Sequence, residues 1–280
     1  MINVAVTGAN GYIGSHVIKI LQKSPEVGNV TAIDFRGDYI DDGVRFLKAD
    51  ILAEADAADL YNRLGCPDAV IHLAWQDSFN HAAPSHLNNL GAHYVFLKNL
   101  IDAGCPSVSV MGTMHEVGYW EGEVTADTPC SPLSLYGIAK NALRQALLTY
   151  CEDKDVSIKW LRAFYLIGDD AHNKSIFAKI LKMASEGQKT FPFTDGKNKY
   201  DFEDINILAK QIAKASIQND INGIINCCSG VPVALKDKVE EFIKQHGLSI
   251  TPEYGMFPVR KYDSPAIWGN ADLINKIMSM

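Results

Sequence analysis

The chain has 280 residues, 47% of them hydrophobic and 21% charged, and a formal net charge of −7. Those values suit one large α/β enzyme domain, or a dinucleotide-binding domain with a small capping lobe, and exclude a disordered or fibrous chain. The acidic balance argues against nucleic acid or an anionic membrane surface as the main partner, since both demand a basic face.

The opening MINVAVTGANGYIG has no basic n-region, apolar h-region or cleavage site, and no apolar stretch approaches the roughly 18 residues of a membrane span. A cytoplasmic protein is therefore expected. Six cysteines (Cys66, Cys105, Cys130, Cys151, Cys227, Cys228) show neither CxxC spacing nor a nearby histidine at ligand spacing. They read as reduced, mostly buried thiols, with no metal site.

The first 165 residues alternate apolar runs with helical patterns, the rhythm of parallel βαβ units. Strands are expected at Asn3 to Thr7, Val30 to Asp34, Arg45 to Leu47, Ala69 to Leu73, Val108 to Met111 and Ile158 to Phe164. Between the fourth and fifth of these, Leu87, Leu90, Tyr94, Leu97 and Ile101 recur near a 3.6 period, which predicts a helix from Pro84 to Ala103 stopped by Gly104. Another helix is expected after Ser131-Pro132. Later segments read as helices at Ser175 to Glu186, Asp204 to Ile217, Lys236 to Gln245 and Ala271 to Met278, with a strand at Gly223 to Cys227. The division this suggests is a Rossmann-type doubly wound parallel sheet over residues 1–165, completed by segments near 204–228, and a small α/β substrate lobe over 166–280.

The strongest local signal is Thr7-Gly8-Ala9-Asn10-Gly11-Tyr12-Ile13-Gly14, because it follows a predicted strand and opens a predicted helix. Gly8, Gly11 and Gly14 provide a tight turn, close approach of backbone N–H groups to a pyrophosphate, and helix-on-sheet packing. Asp34 ends the second strand at the position where a carboxylate accepts the ribose hydroxyls, which favours NAD. Arg36 could pair with a 2′-phosphate, so NADP stays open. Asp50, with Ile51, ends the third strand near an adenine's place, and a helix N-cap is its equal alternative.

Tyr136 and Lys140 lie one helical turn apart at the start of a helix that follows the fifth strand, on one face. A cation there is expected to lower the phenol's pKa and make Tyr136 an acid/base for an alcohol–ketone interconversion, facing the Thr113 hydroxyl. Spacing alone does not select this pair. Tyr94 with Lys98 and Tyr150 with Lys154 repeat it, and only position sets Tyr136 apart.

Taken together, the chain resembles an extended short-chain dehydrogenase/reductase of the NAD-dependent epimerase/dehydratase family, which mostly works on nucleotide sugars. The likeness rests on Thr7 to Gly14, Asp34, Asp50-Ile51, Asp68 to Ala74, Asn88 with Gly91, Gly112 to Gly118, Tyr136 with Lys140, Arg162 to Gly168, Tyr200 to Ala209 and Asn226 to Gly230. By resemblance, Thr113 hydrogen-bonds the reacting hydroxyl, Tyr136 exchanges its proton, Lys140 holds the nicotinamide ribose and Asn88 braces the site. Asn10, Tyr12, Ile13, Leu73, Ala74, Trp75 and Phe164 complete the implied cofactor contacts. The resemblance also implies a homodimer, through the helices Pro84 to Ala103 and Ser131 to Tyr150.

Departures from the family pattern bear on the reaction. The Asp-Glu pair that serves elimination in sugar 4,6-dehydratases is replaced by Met114 and His115, so elimination is disfavoured. Glu116 comes one residue late and, if the strand continues, faces away. His115 reads either as a proton-transfer group or as a hydrogen-bonding contact. Tyr200 stands where the family often has a diphosphate-binding arginine, and Tyr165 where it has an asparagine; Lys197, Lys199 or Arg260 would have to supply the charge. The segment Trp75 to His81, including Gln76, reads as pocket lining or as a structural loop. The expected activity is hydride transfer at C4 of a nucleotide-linked sugar, as a 4-epimerase or a 4-keto reductase. A reductase of a non-sugar carbonyl and a silent dinucleotide sensor are the alternatives.

Overall fold

A computed structural model describes residues 1–168, 175–258 and 263–280. The strands in chain order are β1 (Ile2–Thr7), β2 (Val27–Asp34), β3 (Arg45–Lys48), β4 (Ala69–His72), β5 (Ser107–Thr113), β6 (Gly122–Val124), β7 (Ser157–Ala163), β8 (Tyr165–Ile167), β9 (Thr190–Pro192), β10 (Lys199–Asp204), β11 (Gly223–Cys227), β12 (Pro232–Ala234), β13 (Thr251–Glu253) and β14 (Ala266–Gly269). The helices are α1 (Tyr12–Leu21), α2 (Leu60–Arg63), α3 (Ser85–Asn88), α4 (Leu90–Asp102), α5 (Leu135–Cys151), α6 (Ile176–Ser185), α7 (Ile205–Ile217), α8 (Leu235–Gln245) and α9 (Asp272–Ser279).

Seven parallel strands form the main sheet in the order β11-β7-β5-β4-β1-β2-β3. Side chains alternate across it as the strand period requires. Val4 and Val6 of β1 join the core beneath α1, α7 and α9, whereas Ala5 joins the opposite core beneath α2, α4 and α5. Both faces are buried, which is why these strands read as nearly continuous apolar runs. The strand order reverses between β1 and β4, placing a crevice at their carboxyl ends, where sheets of this kind bind ligands.

Helix starts follow their capping residues. Ser134 accepts a hydrogen bond from Gly137 N at 3.1 Å and sets the first turn of α5, and Asp204 does the same for α7 through Asn206 N at 2.8 Å. Gly104, at φ 93°, ends the helical run as expected. The helix predicted from Pro84 to Ala103 is two helices, α3 and α4, with Asn89 between them at φ −92°, ψ −7°.

The smaller sheet, β12-β10-β14-β6 with β8 beside β10, encloses a third core that includes Phe177, Phe191, Phe193, Tyr200 and Phe242. Its membership crosses the sequence division at residue 165. Gly122–Val124 pairs with Ala266–Gly269, and Ile274 and Ile277 of α9 return to the core of the main sheet. These short strands carry too little periodicity to be read from sequence. Pairing partners more than 140 residues away define them.

Candidate active site

The dinucleotide cradle is built from main chain. Gly8 has φ +67°, and a Cβ there would lie 2.6 Å from Ala74 N; a Cβ on Gly14 would lie 2.1 Å from Gly8 O. Only glycine fits at either place. Gly11 caps α1 without a side-chain bond, and no acidic residue occupies the first turn, so the helix's positive end stays free for an anion. Asp34 is tied to the same loop, since Asn10 N donates to its Oδ2 at 3.0 Å and Phe35 N to its Oδ1 at 2.7 Å. Asn10 in turn accepts Tyr39 N at 2.7 Å. Arg36 is exposed, with Nε 3.9 Å from Asp38. The glycine turn, Asp34 and the backbone of Leu73 and Ala74 beside Gly8 thus lie together at the switch point, a cradle of the kind that fits a dinucleotide's pyrophosphate and ribose.

Asp50 closes a turn: its Oδ1 accepts Leu52 N at 3.0 Å and Ala53 N at 3.1 Å, while Ile51 is buried; the helix expected to follow it does not form, and the next helix is α2 at Leu60–Arg63. Asn88 is exposed at the end of α3, two residues past buried His86, whose ring lies 5.2 Å from that of Tyr136. Gln76 requires a correction. It is exposed and accepts Asn89 Nδ2 at 3.0 Å, outside the pocket that Ser78, Phe79 and His81 line.

The catalytic candidates meet as expected. Thr113 ends β5, buried, and its side chain hydrogen-bonds Tyr136 in the first turn of α5. The Tyr136 ring stacks on His81 (centroids 5.0 Å, 18°) and contacts His86 and Trp75. Lys140, one turn later and 2% exposed, donates to Met111 O at 2.6 Å, and its Nζ lies 3.8 Å from the centre of the Trp75 ring.

The electrostatics differ from the expectation. Burial pushes the Tyr136 phenol above its ordinary value against the opposing Thr113 hydrogen bond, and Lys140 is not what lowers it. Burial pushes Lys140 itself down to about 7, with Glu116 opposing. Low-dielectric surroundings disfavour the charged form of both groups, and here that effect exceeds their mutual influence. His115 is held down to about 3, by burial and then by His81, whose ring centroid is 4.3 Å away. It is neutral near pH 7.

Glu116 faces away from the pocket, though the reason is a turn and not a continuing strand. β5 stops at Thr113, a short 3₁₀ turn follows, and Glu116 reaches back to accept Thr113 N at 2.7 Å in a capping box. Fully buried, it also accepts Trp160 Nε1 and lies 3.5 Å from both Arg144 and Arg162. It shapes the backbone that carries Thr113.

A cavity of about 450 Å³ opens between the main sheet and the smaller one, lined by Tyr12, Thr113, Met114, His115, Tyr136, Phe164, Tyr165 and Tyr200 among others. Tyr165 and Tyr200 pack with ring centroids 4.3 Å apart. Phe79 and His81 also line it, within the Trp75 to His81 segment read as pocket lining, and so do Ile176, Phe177 and Phe202, which sequence reasoning missed. The polar-aromatic character of residues 75–81 was the available signal for Phe79 and His81; the others are set by tertiary folding alone. Among the described residues no lysine or arginine lines this cavity. Lys197 and Lys199 are exposed, and Arg260 lies outside the described residues.

Among the described residues, no helix is long and apolar enough to cross a membrane, and no group of three or more His, Cys, Asp or Glu could hold a metal ion.

A doubly wound sheet, a glycine turn tied to Asp34 at its switch point, and Thr113 against Tyr136 beside a buried lysine define an extended short-chain dehydrogenase/reductase. The chain belongs to the NAD dependent epimerase/dehydratase family, whose model matches residues 4–228. A curated relative, dTDP-6-deoxy-L-talose 4-dehydrogenase (NAD(+)) of Aggregatibacter actinomycetemcomitans, is 46% identical over 274 residues, covering 95% of this chain and 99% of that one. UDP-arabinose 4-epimerase 1 of Arabidopsis thaliana is 24% identical over 314 residues, with coverage of 98% and 74%. The fold matches that of UDP-N-acetylglucosamine 4-epimerase from Methanobrevibacter ruminantium M1, with a TM-score of 0.84 and 22% identity, over 99% of this chain and 91% of that one.

Proposed function

We propose that this chain is an NAD-dependent oxidoreductase acting at C4 of a nucleotide-linked sugar, specifically a 4-dehydrogenase, reductive in the opposite direction, of a dTDP-linked 6-deoxyhexose. The observation that carries the reading is the 46% match to the talose 4-dehydrogenase, which extends over nearly the whole of both chains. The 4-epimerase alternative rests on more distant relatives.

Bound NAD supplies the hydride acceptor or donor at C4. Tyr136 exchanges the proton of the C4 oxygen, and Thr113 holds that oxygen. Lys140 holds the nicotinamide ribose. Burial raises the pKa of the free phenol, which favours the protonated form that donates to a C4 carbonyl; oxidation uses the deprotonated form and gains as pH rises. Met114 has no titratable group and His115 is neutral, so neither provides an acid/base pair for elimination. His115, Tyr165 and Tyr200, which line the cavity, contact the sugar nucleotide. Asp34 disfavours a 2′-phosphate, so NAD is used in preference to NADP.

The assembly we infer is a homodimer through α4 and α5. Leu133 (60% exposed) and Ile138 (41%) lie before and on α5, and this apolar exposure supports a two-fold, self-complementary contact. All six cysteines are unpaired, which supports a reducing, cytoplasmic setting.

The test is to incubate the purified protein with NAD and a panel of dTDP-, UDP-, GDP- and CDP-sugars, following NADH and identifying products by NMR. Stoichiometric NADH with a 4-keto product from a dTDP-6-deoxyhexose is expected. Inversion at C4 without net NADH would make the chain an epimerase. Turnover of simple carbonyls alone would overturn the sugar assignment.

A further inference from the structure

Lys140 is a deeply buried cation whose partners are a carbonyl and an indole. Its Nζ donates to Met111 O at 2.6 Å and lies 3.8 Å from the Trp75 ring centroid. Trp75 is itself held in place. Its Nε1 donates to His86 Nδ1 at 3.0 Å, and His86 Nε2 faces Asn80 O at 2.9 Å, which assigns His86 as the neutral tautomer protonated on Nε2. His93 stacks on the indole with centroids 4.4 Å apart and planes 14° from parallel. From His93 a hydrogen-bonded line continues to His72 (Nδ1 to Nε2, 2.9 Å) and on to Thr7 Oγ1 (2.9 Å), the residue before Gly8. A continuous set of packed groups thus links the glycine turn to the surroundings of Lys140.

We propose that Trp75 is a positioning residue for Lys140: its indole face holds the ammonium charged and in place, and His86, His93 and His72 fix that face relative to the glycine turn. This gives Trp75 a role through Lys140 beside the direct cofactor contact expected from sequence. It rests on Lys140 acting as the ribose-holding cation and is independent of which sugar is the substrate.

The charged neighbours support it. Lys140 faces Tyr136 on its own helix, His72 on β4, His93 on α4 and Glu116 after β5. Burial and the nearby Lys140 hold His72 well below its ordinary value and His93 down to about 3, so both rings are neutral and do not repel the ammonium. Glu116 is shared with Arg144 and Arg162, each 3.5 Å away, which already balance its charge. The Trp75 face adds to the Met111 carbonyl and to Glu116 in favouring the ammonium, and the attraction of a cation to a ring is greatest for tryptophan and grows on desolvation.

The experiment measures NAD affinity calorimetrically from acid to alkaline pH for the wild type, Trp75→Leu and Trp75→Phe, alongside their melting temperatures. Binding needs the charged lysine, so affinity falls as pH rises through the Lys140 pKa, and losing the indole lowers that pKa. In Trp75→Leu the falling limb should move to lower pH by about one unit with the acid plateau retained, and in Trp75→Phe by less. A limb at the wild-type position in Trp75→Leu would overturn the proposal, as would a uniform loss at every pH or equal shifts in the two variants. Should Trp75→Leu fail to fold, Trp75→Phe and Trp75→Tyr carry the test: their limbs must lie below that of the wild type, and an unmoved limb overturns it. Because NAD is the only ligand used, an error in the assigned sugar leaves the result intact.

Discussion

Tyr136, the acid/base we propose, is held by Thr113 from the end of β5 and by the rings of His81 and His86. Removing its phenol oxygen leaves the ring packing, so Tyr136→Phe should keep NAD affinity in calorimetry while turnover falls by about 10² to 10⁴, the usual contribution of a positioned acid/base. Tyr94→Phe and Tyr150→Phe are the matched controls and should turn over normally. Their shared spacing has another explanation in the structure. Tyr150 bonds Asp102, and Lys98 and Lys154 pair with the same carboxylate at 2.6 and 3.2 Å, forming a partly exposed cluster that holds α4 against α5. We further propose that Asp34 sets cofactor choice by its charge. Asp34→Ala should narrow the NAD-over-NADP affinity ratio, and an unchanged ratio would move the discrimination elsewhere.

At the scale of elements, the turn that carries Thr113 depends on Glu116. This carboxylate accepts Thr113 N and Trp160 Nε1 and sits between Arg144 and Arg162, all away from water. Removing one partner from a buried ionic cluster leaves the others uncompensated, and Glu116→Ala should destabilise the fold by about 3–5 kcal/mol in denaturant melts. Turnover should fall as well, since the freed backbone no longer fixes the threonine hydroxyl. A variant of wild-type stability would show that the arginines find water or another acceptor. Helical geometry within α3 belongs to the same scale: the two-residue step from His86 to Asn88 puts a buried ring bonded to Trp75 and an exposed amide on different faces.

For the whole molecule, stability should depend on pH through the smaller sheet. Glu203 is 4% exposed on β10, and burial, then Asp201, push its carboxyl up from 4.5 to about 7. A raised acid keeps in the folded state a proton that the unfolded chain releases, so its penalty grows as pH rises from about 4.5 and levels above about 7. Glu203→Gln should therefore raise the melting temperature above pH ~7, with a gain on the order of 1–3 kcal/mol, and change little at acid pH. A gain greatest in acid would contradict this sign. Assembly is tested at the same scale. Sedimentation at micromolar concentration should give a dimer, and Ile138→Glu should weaken it without loss of secondary structure.

The sequence by itself determined the elements whose cause is local. Glycines at 8, 11 and 14 permit one kind of strand-to-helix turn, Ser134 and Asp204 cap their helices, Gly104 ends another, and apolar runs buried on both faces specify a parallel sheet. The order of those elements was enough to select Thr113, Tyr136 and Lys140 from chance repeats of the same spacing. Tertiary structure decided whatever depends on residues distant in the chain. It set the pairing of β6 with β14, the removal of Gln76 from the pocket and the aromatic surroundings of Tyr136. It also decided the proton affinities of Tyr136 and Lys140. Spacing on a helix brings a cation near a phenol, but the amount of water left around each follows from how α5 packs against β5 and α4, and burial proved to be the larger effect.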